Sequence, residues 1–303
     1  MLIDSAPDPV PPVLAGFLHD AFVYRGDDEF LLHTASFVHD GVTNDEAVLV
    51  ALPPAGIANL RSALGSAADQ VTFIDITSAG RNPARIIPLW RNLLDQHPGR
   101  PVRGIGEPAY PGRSEAEFEE ATFHEALLNV AFEHDGPFRL RCPYDVSMAG
   151  PAVAATHPPS FSRSSAEETF RTALPGVPAY AERLEFGLAE LTAVRHWFTT
   201  RARLRGLSGS RLDDVALALQ EICTNSIRFG GGRGTLSLWS EDGGLVLEVA
   251  DRGRIDDLLI GRVLPPVEGF GGRGVWLANQ LCDLVQIRSG AGFTQVRLHA
   301  RPS

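Results

Sequence analysis

Glu221 and Asn225 stand four residues apart in LALQEICTNSIRF, a spacing that puts both side chains on one helix face. A carboxylate and an amide side by side can bind Mg²⁺, directly or through water, and can orient an attacking hydroxyl. Asp251 follows the apolar run LVLEVA (245–250) and precedes Arg252 and Gly253. An aspartate at a strand end can accept a hydrogen bond from an adenine amino group, and glycine lets the backbone approach the ring. Gly269, Gly271, Gly272 and Gly274 then open a helix. Glycines at a helix N-terminus expose N–H groups to phosphate oxygens, and the helix dipole adds to that attraction. Thr294 begins the last apolar run, after Gly290 and Gly292. Taken singly, each feature has a plainer explanation: a solvated helix face, a turn, a glycine run. Their order between residues 180 and 300 is what joins them.

Composition narrows the chemistry. All 27 basic residues are arginine, so a phosphate-binding loop that relies on lysine is excluded, as is any Schiff base. Phosphate must be met by backbone N–H groups, arginine or a metal. The formal charge of −10 argues against a nucleic-acid backbone binder. Cys142, Cys223 and Cys282 lie far apart and form no CxxC pair, which argues against a disulfide framework and a cysteine-built zinc site; each reads as a small buried apolar residue. No apolar run is long enough to span a bilayer, and the N-terminus lacks the regions of a secretory signal, so the expected location is the cytoplasm.

At 303 residues the chain exceeds what one core usually organises, and two domains are expected. Residues 47–52 (AVLVAL), 71–76 (VTFIDI) and 138–142 (FRLRC) read as strands. Residues 29–40, 56–64, 83–96 and 114–132 read as helices, the last with a capping signal at Ser114 and Glu117. That alternation indicates an α/β layer with a largely parallel sheet. Residues 149–178, rich in proline and serine, read as a connection that could hold a short helix over 164–172. Beyond it, 182–205 and 211–228 read as two long helices. Strands over 234–240 and 245–250, a helix over 274–282, and strands over 284–289 and 294–300 complete an α+β layer pair. The expected units are 1–155, a connection over 156–178, and 179–303.

The order of motifs in the second unit resembles the Bergerat ATP-binding fold shared by histidine kinases, anti-sigma serine kinases, gyrase and the Hsp90 chaperone. Glu221, Asn225 and Arg228 are similar to its N box, Asp251 and Gly253 to its G1 box, Gly272 and Gly274 to its G2 box, and Thr294 to its late threonine. The resemblance implies ATP and Mg²⁺ as cofactors, Asn225 on Mg²⁺, Asp251 on adenine, and glycines bordering a flexible lid. NSIRF (225–229) is similar to histidine kinases. Glu221 is similar to the serine-kinase N box, where the glutamate is given the general-base role. His196, in ELTAVRHWFTTR, has neither the acidic neighbour nor the following proline of a phosphoacceptor box.

In the first unit, GRNPARIIPLW (80–90), RPVRGIGEPAYPGRS (100–114), HEALLNVAF (124–132) and CPYD (142–145) resemble the MEDS sensory domain. The implied fold is RecA-like α/β, degenerate, without a working phosphate loop. His19, Glu107, Tyr110, His124, Glu125 and Tyr144 could line a pocket for an unknown small-molecule signal; the plainer alternative is helix-face and loop residues. A His/Glu set could also hold a metal, though no HxH or HxxxH spacing supports it. The combined resemblance implies an anti-sigma factor that phosphorylates serine or threonine on an antagonist protein, under control of the sensory domain. Its expected partners are that antagonist and a sigma factor, a homodimer being compatible, with neither nucleic acid nor membrane. Two alternatives stay open: a non-catalytic, nucleotide-switched sigma-binding protein, and a histidine-kinase-like sensor without its own phosphoacceptor.

Overall fold

The structure, a computed structural model, describes residues 16–148, 150, 153, 156, 157, 163–265 and 272–302. Two five-stranded sheets divide it. The first is wholly parallel in the order β1-β5-β4-β2-β3, with β1 Phe17–Tyr24, β2 Ala47–Leu52, β3 Val71–Asp75, β4 Val102–Gly106 and β5 Phe138–Asp145. Parallel strands need crossover connections, which bury the sheet on both faces. Every residue of β2 is accordingly buried. Helices α1 (Gly26–Thr43) and α2 (Pro54–Leu64) cover one face around Phe37, Val38, Val50 and Leu60. The four-residue α3 (Ile76–Ala79) follows β3; α4 (Ile86–Gln96) and α5 (Glu115–Phe132) contribute Ile87, Trp90, Leu127 and Phe132 to the other core. The capping box at the start of α5 is formed: Ser114 Oγ accepts from the Glu117 N–H and a Glu117 carboxylate oxygen accepts from the Ser114 N–H.

The second sheet is antiparallel, in the order β6-β7-β8-β10-β9. Its strands are β6 Glu182–Gly187, β7 Arg233–Glu241, β8 Gly244–Asp251, β9 Leu284–Gly290 and β10 Phe293–Ala300. Helices α7 (Leu191–Leu204), α8 (Gly209–Phe229) and α9 (Arg273–Leu281) form the facing layer; α6 (Ser164–Arg171) precedes this unit. The apolar stripe of α8, Leu212, Val215, Leu219 and Ile222, is buried. Among the described residues no helix is long and apolar enough to cross a membrane.

One expected helix is corrected. Residues 182–205 are not continuous: Glu182–Gly187 is strand β6, paired with β7 from Glu182↔Leu238 to Gly187↔Arg233. In ERLEF the less exposed positions alternate with exposed Arg183 and Glu185, and that period of two belongs to a strand. Two strands escaped the sequence pattern. In β4, Arg103 breaks the apolar run yet is buried, because Glu46 binds its guanidinium at 2.5 and 2.9 Å and the Phe37 carbonyl accepts at 2.8 Å. In β1, His19 and Asp20 interrupt the signal in the same way.

The two units are welded together. Phe170 of α6 is fully buried and stacks on Phe123 of α5 at 6.2 Å. Arg171 donates to the carbonyls of Ile255 and Ser289, so α6, within the stretch read as a connection, is itself packed. Glu120 of α5 is fully buried and binds Arg262 through one oxygen and Arg288, at 3.0 Å, through the other. Arg85, just before α4, donates to the carbonyls of Asn279, Gln280 and Cys282, and Asn82 donates to Asn279. A guanidinium on the last carbonyls of α9 satisfies orphan acceptors and complements the negative end of that helix dipole.

Candidate functional site

Helix α8 presents Glu221 and Asn225 toward the first turn of α9. A Cβ added to Gly274 would stand 2.7 Å from Glu221 Oε2 and 3.2 Å from Asn225 Nδ2. Glycine there is thus what allows the two helices to approach. Gly272 precedes α9 in the left-handed region, with φ +85°, and supplies no side-chain cap to its N–H groups. Neither Glu221 nor Asn225 has a hydrogen-bond or ion-pair partner among the described residues. The arrangement fits a magnesium nucleotide: an uncapped helix N-terminus suits phosphate oxygens, and a free amide and carboxylate suit a hard cation. Gly269 and Gly271 lie outside the described residues.

Asp251 ends β8 and is held on two sides. Its Oδ2 accepts from the Ser226 hydroxyl at 2.5 Å and its Oδ1 from the Gly253 N–H at 2.7 Å. Each carboxylate oxygen retains a lone pair, so the group can still accept from an amino group. Gly253 is needed sterically: a Cβ there would lie 2.9 Å from both Asp251 Oδ1 and the Phe229 carbonyl. Thr294 is the cross-strand partner of Asp251, and its hydroxyl donates to the Gly253 carbonyl at 3.0 Å. Ser289 Oγ lies 2.8 Å from the Thr294 hydroxyl and accepts from the Ile255 N–H. Asp251, Gly253 and Thr294 therefore meet in one turn, tied to α8 through Ser226. Arg228 is exposed, its guanidinium 5.1 Å from the centre of the exposed Phe229 ring. Ser226, adjacent to Asn225, is the residue sequence reasoning missed here; its small hydroxyl carries no pattern of its own.

In the first unit, Glu107, His124 and Glu125 line one small cavity with Trp90 and Cys142. Burial pushes the Glu107 carboxyl up to about 7, although Tyr24 donates to it at 3.1 Å. Burial pushes His124 down to about 3, and neither of its ring nitrogens has a hydrogen-bond partner among the described residues. His19 and Tyr144 reach Glu125 from β1 and β5: His19 Nε2 lies 3.4 Å from Glu125 Oε2, and the Tyr144 hydroxyl donates to it at 3.3 Å. Tyr110 is not on that cavity; the Arg113 guanidinium covers its ring at 4.3 Å. Two residues were missed, Cys142 and His157. Cys142 is buried, as read, but its Sγ lies 3.2 Å from His19 Nε2. His157 sits in the proline- and serine-rich stretch, where no periodicity marks it.

Residues 18–158 match the family described as MEDS, MEthanogen/methylotroph, DcmR Sensory domain. Residues 184–300 match the family described as Histidine kinase-like ATPase domain. Among solved structures, the chain is similar to the RsbU and RsbW domains of Rv1364c from Mycobacterium tuberculosis, at 20% identity and a TM-score of 0.30. That match covers 40% of this chain and 32% of the other, less than two thirds of its length. No curated protein matches the chain. The chain carries a MEDS sensory domain followed by a histidine kinase-like ATPase domain.

Proposed function

We propose that this protein is a regulatory ATP-binding kinase of the anti-sigma type, which phosphorylates serine or threonine on an antagonist protein under control of its sensory domain. The observation that carries the reading is the meeting of Glu221, Asn225 and Gly274 at the uncapped start of α9. Asn225 would hold Mg²⁺, Asp251 would accept from adenine, and the N–H groups after Gly272 and Gly274 would take phosphate. ATP, when bound, supplies the phosphoryl group. Glu221, with no partner among the described residues, would take the proton of the incoming hydroxyl and so raise its nucleophilicity. Control by the sensory domain is supported by Arg85, which holds the far end of the same helix α9.

The test uses the full chain, Mg²⁺-ATP and candidate antagonist proteins, with acid-stable phosphoserine or phosphothreonine as readout. Glu221→Gln keeps size and reach but cannot accept a proton. Phosphotransfer should fall about 10²- to 10⁴-fold while ATP affinity stays near the parent's. Transfer at the parental rate removes Glu221 as base. ATP binding without transfer to any antagonist leaves the protein a nucleotide switch.

A further inference from the structure

Four side chains from four separate parts of the sensory domain converge in its interior: His19 of β1, Glu125 of α5, Cys142 of β5, and His157 beyond it. Their donor atoms all lie within 4.8 Å of one another. His19 Nε2 is 3.2 Å from Cys142 Sγ and 3.4 Å from Glu125 Oε2, and His157 Nε2 is 3.2 Å from the same Oε2. His157 Nε2 is nonetheless outside hydrogen-bonding geometry.

The outer atoms fix what the inner ones offer. The Asn129 amide donates to the Glu125 and Thr156 carbonyls, which turns its Oδ1 toward His19 Nδ1 at 3.2 Å. That oxygen can only accept, so the His19 Nδ1 carries the proton. The Val153 carbonyl, 2.9 Å from His157 Nδ1, imposes the same tautomer there. With both Nδ1 atoms protonated, each Nε2 faces the Glu125 carboxylate either as a bare lone pair or with a second proton on its ring. Lone pairs facing one another in a dry interior are repulsive unless a cation stands between them. Histidines whose other nitrogen is tied to an oxygen are also the usual form of metal-ligating imidazole.

We propose that His19 Nε2, Glu125 Oε2, Cys142 Sγ and His157 Nε2 form a tetrahedral site for a borderline divalent transition-metal ion, Zn²⁺ by its donor set. Metal–ligand lengths of about 2.0–2.3 Å place tetrahedral donors roughly 3.3–3.6 Å apart. The two N···O pairs, at 3.2 and 3.4 Å, are already near that spacing and longer than most N–H···O bonds, and His19 Nε2 to Cys142 Sγ, at 3.2 Å, would have to open by only a few tenths of an ångström. Two nitrogens, one sulfur and one oxygen suit Zn²⁺ better than Mg²⁺ or Ca²⁺. Binding deprotonates the Cys142 thiol and releases that proton to solvent, with no change of oxidation state. The Tyr144 hydroxyl, on the same Glu125 oxygen, and Asn129 form the surrounding shell.

Co²⁺ reports on the site in the full chain after dialysis against a chelator. One equivalent should produce a thiolate-to-cobalt charge-transfer band and the intense visible bands of a tetrahedral ion, both displaced by Zn²⁺. The band should vanish in Cys142→Ser, whereas Cys223 and Cys282 are buried elsewhere. Asn129→Ala should weaken Co²⁺ binding about 10- to 100-fold by releasing the His19 ring. Should Cys142→Ser fail to fold, His157→Gln, on a segment outside both sheets, should weaken it by at least about tenfold. No thiolate band in the unsubstituted chain overturns the site and leaves protons as the balancing charge. A band that persists in Cys142→Ser, or unchanged affinity in His157→Gln, overturns it equally.

Discussion

The two candidate sites, one in each domain, keep their polar groups in opposite ways. At the proposed nucleotide site Glu221 and Asn225 stand half-exposed without partners among the described residues, and there Asp251 is held by Ser226 and Gly253 alone. In the sensory cluster Glu107, Glu125 and Cys142 are buried and partnered, as is Glu120 at the seam between the domains. Exposed, unpartnered polar groups cost little to keep and are free to meet a ligand. Buried ones must satisfy one another, so their removal is felt by the whole fold. The contrast predicts that substitutions in the buried sensory cluster and the seam change stability, while those in the proposed nucleotide site change binding.

The largest effect should come from Glu120→Ala. It leaves Arg262 and Arg288, each almost fully buried, without their shared carboxylate. Breaking one side of a buried ion pair costs about 3–5 kcal/mol. Urea unfolding should show that loss; a loss below about 1 kcal/mol would mean that water enters the seam and the burial contrast is overstated.

Glu107→Gln should act next, and only above acid pH. The folded carboxyl, raised from 4.5 to about 7 by burial, holds a proton that the unfolded chain releases. Its contribution is therefore full below about pH 4.5 and is lost as pH rises through 7. Tyr24 and Asp145 are the titratable groups acting on it, and Asp145 pushes in the same direction as burial. Glutamine mimics the protonated form at every pH, so at pH 8 the variant should be the more stable by roughly 2–3 kcal/mol. Equal stability of the two chains at pH 5 and at pH 8 would show that Glu107 is solvated.

Legibility from sequence followed the same division. The parts of the proposed nucleotide site are each local in the sequence: one helix face for Glu221, Asn225 and Arg228, one turn for Asp251 and Gly253, one helix start for Gly272 and Gly274. The sensory cluster draws single residues from β1, α5, β5 and the segment after it, and no spacing links His19 to Cys142 or His157. Strand β4 was hidden for a related reason, since Arg103 reads as solvent-facing until Glu46 is placed beside it. The sequence of β6 reads as helix because its charges obscure the alternation of Leu184 and Phe186.

Asp251→Asn sharpens the comparison, because this residue belongs to both kinds. The amide can still accept through one oxygen, but its NH₂ group must face either the Ser226 hydroxyl or the Gly253 N–H. Loss of a charge-assisted bond to adenine, about 1.5–3 kcal/mol, should lower ATP affinity roughly ten- to a hundredfold by calorimetry. A smaller fall in stability, about 1 kcal/mol, should accompany it. Unchanged ATP affinity in a folded variant would reduce Asp251 to a tie between β8 and α8.

The smallest effect should be that of Arg228→Ala, and it tests the exposed extreme. The guanidinium is in solvent, with Phe229 as its neighbour, so the fold should change by less than about 0.5 kcal/mol. If it stands in for lysine at the phosphates, its loss should weaken ADP by about fivefold or less, since exposed charge pairs are screened. Adenosine, which lacks phosphate, should bind as before. The informative quantity is the ADP-to-adenosine affinity ratio, measured at low and at high salt. In the parent that ratio should shrink as salt rises, and in the variant it should be smaller and flatter. An identical ratio in both chains would remove Arg228 from the nucleotide site and leave phosphate to the N–H groups at the start of α9.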